Sequence, residues 1–194
     1  MDKEHGRVGR PRSEQARVAV LHAVDDLLLE VGYAAMTMKG IAETAGVSRQ
    51  TVYRWWSTKA EILFEASATD AEQDLVVCPA GDPVDDLAAY VDALVRFLAH
   101  SPAGAAYRAL LGEAQQDAAV AELLASKDIL GESARAVLQR VLQPGADAVP
   151  VELATALLIG PAFFWIVSGR DPAQLVPRDL AESVMCELRA WVRC

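Results

Sequence analysis

Between Thr37 and Leu63 the chain reads TMKGIAETAGVSRQTVYRWWSTKAEIL, and the punctuation of this stretch leaves the backbone little freedom. Thr37, Ser48 and Thr58 are each placed to cap a helix through a side-chain oxygen. Glu61, three residues after Thr58, completes a capping box. Gly46 supplies the positive φ that ends a short helix sharply. Before it, Met38, Ile41, Ala42 and Ala45 recur at three- and four-residue steps, the spacing of one apolar helix face. A helix, a glycine turn and a second helix within about twenty residues make a helix-turn-helix, whose second helix is shaped for the major groove of DNA.

The flanks are helical as well. Ser13 is expected to cap a first helix, in which Ala16, Val20, Val24, Leu27, Leu28 and Val31 form the apolar stripe until Gly32 stops it. Ahead of it, Lys3, Arg7, Arg10 and Arg12 stand among Gly6, Gly9 and Pro11, which predicts an extended basic arm over 1–12. A fourth helix opens at Thr58 and runs through Ile62, Leu63 and Ala66 to about residue 76. After the break CPAGDP (Cys78 to Pro83), the pattern predicts helices at 83–100, 103–112, 117–142, 150–168 and 178–192. Pro102, Pro144–Gly145 and Gly169–Pro172 separate them. The fold class is therefore all-α, with an arm at 1–12, a three-helix DNA-binding domain at 13–58 and a helical body at 59–194.

Charge divides along the same line. Residues 1–60 carry nine Lys and Arg against seven Asp and Glu, a net +2, whereas residues 61–194 carry nine against twenty, a net −11. A small module that meets an anion, followed by an acidic body that does not, is the expected organisation. Cys78, Cys186 and Cys194 have no metal-ligand spacing, and their odd number without a signal peptide predicts a reduced, cytoplasmic setting. His5, His22 and His100 are scattered, so neither a shared metal nor a cofactor is expected. The 17-residue charge-free run from Leu153 to Gly169 is diluted by Thr155, Gly160, Pro161 and Ser168, and reads as a buried helix rather than a membrane span.

The helix after Ser48 has two faces with different chemistry. Val52 and Trp56 lie four apart and point inward, while Arg49, Gln50, Tyr53 and Arg54 share the exposed side. Arginine bonds guanine through two donors, and glutamine pairs with adenine, so Arg49 and Gln50 are the expected base readers. Thr51 has a methyl for thymine or a hydroxyl for phosphate. Tyr53, Arg54 and Trp55 suit the DNA backbone, and Lys59 and Thr37, both at helix starts, are expected on phosphates. Arg7, Arg10 and Arg12 of the arm would add phosphate or minor-groove contacts.

These residues closely resemble the helix-turn-helix signature of the TetR family of bacterial transcriptional regulators, with the resemblance reaching back to about Ser13. Thr37, Ile41, Ala42, Ala45, Gly46, Val47, Ser48, Thr51, Tyr53, Trp56, Lys59 and Leu63 fall where the family pattern wants them. Trp56 stands where the family usually has phenylalanine, and Gln50 where it often has a small residue, which suggests a base contact that relatives lack. The resemblance implies about nine helices, a homodimer formed by the last two, and a ligand pocket in the C-terminal body. The apolar residues support the pairing. Leu153, Leu157 and Phe164 on one helix, and Leu180, Val184, Leu188 and Trp191 on the other, would build a four-helix seam with their twofold copies. Tyr90, Leu94, Phe97, Tyr107, Leu111, Phe163 and Trp165 would line a cavity for a bulky apolar molecule.

The resulting expectation is a dimeric repressor that binds an inverted-repeat operator and is released by a small apolar ligand. A DNA-binding regulator without a small-molecule effector fits the same residues. A helical enzyme is the reading from another class, and it rests on paired carboxylates such as Asp85–Asp86.

Overall fold

The computed structural model describes residues 9–142 and 150–192. Among these residues there are ten α-helices, one 3-10 turn at Pro172–Gln174 and no strand. None of the helices is long and apolar enough to cross a membrane. The chain divides into two compact units, the first ending at Ala66 and the second beginning at Ser67.

The first unit contains α1 (Gly9–Ala35), α2 (Met38–Thr44), α3 (Arg49–Tyr53) and the opening of α4 (Lys59–Asp74). α1 begins at Gly9, ahead of the expected cap at Ser13. Pro11 falls in the first turn, where a helix needs no N–H, so proline does not oppose helix there. Arg7 lies outside the described residues, as do the side chains of Arg10 and Arg12, and with them their expected DNA contacts. Gly32 breaks the helical path at φ 75° and ψ 167°, after which α1 resumes to Ala35. Val20, Val24, Met36, Ile41, Val52 and Leu63 form the core of this unit.

The second unit is built around α5 (Pro83–His100), which packs against α6 (Pro102–Glu113), α8 (Ile129–Val141), α9 (Val151–Val167) and α10 (Pro177–Val192). Leu87, Tyr90, Val91, Leu94, Phe97 and Leu98 are fully buried, so α5 turns one apolar face into the core and keeps a polar face with Asp92 and Arg96. The single helix expected over 117–142 is two helices, α7 (Ala118–Ser126) and α8. Lys127 is extended between them, and Asp128 starts α8 by accepting from Gly131 N at 3.0 Å. The expected punctuation at Pro144–Gly145 lies outside the described residues.

Candidate nucleic-acid interface

Each cap of the turn forms as its residue type dictates. Thr37 Oγ1 accepts from Gly40 N at 3.1 Å and opens α2. Gly46 turns the chain at φ 65°. Ser48 Oγ accepts from Thr51 N at 3.1 Å and opens α3, and the Ser48 and Thr51 hydroxyls, 2.8 Å apart, share a further hydrogen bond. Val52 is buried and Trp56 is 3% exposed. Arg49, Gln50, Tyr53 and Arg54 are exposed, and Thr51 and Trp55 are half-buried. Ser48, Gln50, Thr51, Tyr53 and Arg54 line an open hollow of about 450 Å³ on this outer face. α3 thus presents hydrogen-bonding side chains outward over an apolar floor, the division that reading base edges requires.

The end of α3 is held by aromatic and ionic contacts. The Arg54 guanidinium lies 4.9 Å from the Trp55 ring centre, and Trp55 meets Trp56 edge-on at 5.4 Å. Trp56 Nε1 donates to Glu65 Oε2 at 2.9 Å, and Glu65 Oε1 pairs with an Arg17 guanidinium nitrogen at 2.7 Å. The sequence reading assigns no role to Arg17 or Glu65. The available signal was Trp56 itself, because a buried indole N–H needs an acceptor. The capping box also differs in detail. Glu61 N donates to Thr58 Oγ1 at 3.2 Å, but the Glu61 carboxylate accepts from Ser57 N at 2.7 Å rather than from Thr58 N.

Lys59 is anchored more firmly than a solvent-facing phosphate ligand would be. Its ammonium donates to Tyr33 O at 2.6 Å and Met36 O at 3.1 Å, and sits 4.1 Å from the centre of the Tyr33 ring. A positive charge on the carbonyls that end α1 favours the helix dipole there. Two of its three protons are committed to that clasp.

In the second unit the residues expected to line a cavity differ in burial, and of them Phe97 lines an open hollow of about 510 Å³ with Ala93, Arg96 and His100. Tyr90, Leu94 and Phe97 are fully buried and Tyr107 is nearly so, while Leu111, Phe163 and Trp165 are half-buried. The Tyr90 hydroxyl shares a hydrogen bond with Ser133 Oγ at 2.9 Å and reaches Leu130 O at 3.2 Å, and burial pushes its pKa up to about 12. Burial and the nearby Asp128 charge push Tyr107 up to about 12 as well. A cleft of about 350 Å³ lies elsewhere, between the later turns of α4 and α8, and none of the seven expected residues lines it. Its walls include Ala71, Leu75, Ile129 and Val137, with the Lys127–Glu72 ion pair at its edge.

The expected dimer residues also divide. Leu153 is 53% exposed and Phe164 is 60% exposed, and Leu157, Leu180 and Trp191 are half-buried. Val184 and Leu188, at 3% and 1%, belong to the chain's own core on a helix that packs against α5 and α9. The carboxylates of the enzyme reading have structural partners: Asp86 accepts from Ala80 N at 2.6 Å, and Asp85 pairs with Arg178 at 2.7 Å. Cys78 and Cys186 are free and exposed, whereas Cys194 lies outside the described residues. No group of three or more His, Cys, Asp or Glu side chains is arranged to hold a metal among the described residues.

Residues 20–66 match the family profile "Bacterial regulatory proteins, tetR family", and residues 78–187 match "Tetracyclin repressor-like, C-terminal domain". The chain is 34% identical to YdeS, an uncharacterized HTH-type transcriptional regulator of Bacillus subtilis (strain 168), over 177 residues that span 89% of each protein. Among solved structures, the TetR family transcription regulator SCO0332 superposes with a TM-score of 0.67 at 27% identity, over 90% of this chain and 97% of that one. Salmonella enterica GusR superposes with a TM-score of 0.66 at 20% identity, over 97% and 100% of the two chains, a likeness of fold.

Proposed function

Because the chain belongs to the TetR family and is a helix-turn-helix transcriptional regulator, we propose that it is a repressor that binds an inverted-repeat operator as a homodimer. The observation that carries this reading is the two-faced α3: Val52 and Trp56 are buried, while Arg49 and Gln50 stand in solvent with no protein surface over them. Arg49 and Gln50 read base edges. Thr37, Ser48, Thr51, Tyr53, Arg54 and Trp55 hold the phosphates and sugars that set the register, with Lys59 contributing the proton its clasp leaves over. Residues 13–58 form the DNA-binding domain and residues 59–194 the body for ligand and dimer. A twofold dimer would set its two α3 helices in successive major grooves, about 34 Å apart. The setting is the cytoplasm, where the operator is.

The effector is a small, mostly apolar molecule, and the cleft between α4 and α8 is its place. α4 begins in the first unit and ends in the second, so a ligand that wedges its later turns away from α8 moves the helix on which the DNA-binding domain closes. A preference for the displaced state of about 1–3 kcal/mol, the usual scale of such coupling, lowers operator occupancy.

Selection of bound fragments from random duplex DNA by the purified protein tests the core of this reading. The expected result is two inverted half-sites with centres about one or two helical turns apart. No enrichment at low salt, where phosphate contacts are strongest, would refute it.

A further inference from the structure

We propose that Glu65 is a positioning residue for DNA readout: it holds Trp56 and Arg17 on its two carboxylate oxygens and so fixes the angle at which α3 offers Arg49 and Gln50 to the bases. The inference rests on the DNA-reading role of α3.

α3 has only five residues, too short to hold a direction by its own hydrogen bonds. Its entry is fixed by the Ser48 cap and its middle by Val52 in the core. Its exit leads directly into Trp56, and there the indole N–H is bound to Glu65 Oε2 at 2.9 Å across nine residues of sequence. Glu65 is itself immobilised by the Arg17 guanidinium 2.7 Å from Oε1, so the bond ties the end of α3 to both α1 and α4. A carboxylate that accepts from a buried indole makes a charge-assisted bond in surroundings that screen it poorly. None of Arg17, Trp56 and Glu65 is among the side chains offered to DNA, so their effect on base recognition is felt through the orientation of α3.

The experiment compares full-length wild type, E65A, W56F, the double variant and E65Q. Each is titrated against the duplex selected by wild type and against a random duplex of the same length, at several salt concentrations. Far-UV circular dichroism and melting curves for each variant show that it is folded at the assay temperature. W56F keeps the ring in the core and removes only the donor, which separates positioning from loss of packing. The expected result is that E65A and W56F each lower the ratio of selected to random affinity by about tenfold, with the salt slope unchanged, since the phosphate contacts remain. The double variant should lose no more than either single one, because both remove the same bond. E65Q has one acceptor oxygen for two donors, so its amide nitrogen would face either the indole N–H or the Arg17 guanidinium, and it should retain only part of the ratio, between wild type and E65A. Equal losses on both duplexes, additive effects in the double variant, or E65Q keeping the full wild-type ratio would overturn the proposal. A wild type that does not separate the two duplexes would instead overturn the DNA-reading role on which it rests.

Discussion

Gln50 extends from the first turn of α3 into open solvent, so truncating it removes a donor and an acceptor from the outer face without touching the core. Gln50→Ala is expected to cost about 1–3 kcal/mol on the preferred operator and almost nothing on random DNA, relaxing base preference at one position per half-site. Competition binding against a set of single-base operator variants measures this. Tyr90 lies at the opposite extreme of burial, and its chemistry shows in stability. Its pKa is pushed up from 10.0 to about 12 in the folded chain by burial, against a bond from Ser133 that lowers it. A raised folded-state pKa means that the native protein holds this proton more tightly than the unfolded chain does. The stabilisation is therefore complete below pH 10 and is lost as pH rises towards 12. Tyr107, also raised to about 12, titrates over the same window, so melting curves should show a loss of about 2–3 kcal/mol from each tyrosine, and Tyr90→Phe should remove the Tyr90 share of the pH dependence.

Gly46 makes the turn of the DNA-binding element possible. At φ 65°, with no other group within 4 Å of the place a Cβ would occupy, the only obstacle to a side chain is the backbone conformation itself. Gly46→Ala is expected to cost about 1–2 kcal/mol, seen as a lower melting temperature, and to weaken operator binding further by shifting the entry to α3. Unchanged melting would show that the turn relaxes at no cost. This element was legible because its determinants are local: Thr37, Ser48 and Gly46 act on backbone groups within a few residues. The same locality set both bounds of α5, where Asp82 caps Pro83–His100. Misreadings arose where local signals competed or were missing. Pro11 suggested an arm but stands in a first turn that tolerates it. The apolar pattern over 117–142 continues through Lys127 and hid the Asp128 cap that starts a second helix. The Trp56–Glu65–Arg17 contact and the α4–α8 cleft depend on which helices meet, and helical periodicity is the same for an aromatic that lines a cavity as for one that fills a core.

For the whole molecule, the distribution of apolar surface bears on how two chains would meet in the proposed dimer. α9 leaves Leu153, Phe164 and Val167 more than half exposed at positions three turns and one turn apart along one side, a face that a lone chain would hold in water. Val184 and Leu188 are buried within the chain, so in the proposed dimer α9 would contribute more of the seam than they do. Substitution should separate the two roles. Leu188→Ala opens a cavity in the chain's own core and is expected to cost about 2–5 kcal/mol of stability. Phe164→Glu places a charge on an exposed site and should leave helix content intact, while halving the molecular mass measured by light scattering. Loss of the twofold partner removes the second half-site contact, which acts at high effective concentration once the first has bound. Operator affinity should then fall by about 10²–10⁴ while binding to a single half-site is unchanged. The acidic body sharpens this dependence: residues 61–194 carry a net −11 against +2 for residues 1–60, so one module gains little from non-specific attraction to compensate for a missing partner. A Phe164→Glu protein that keeps the dimer mass would place the seam on another face, whereas one that is monomeric yet binds the full operator undiminished would show that each chain reads DNA alone.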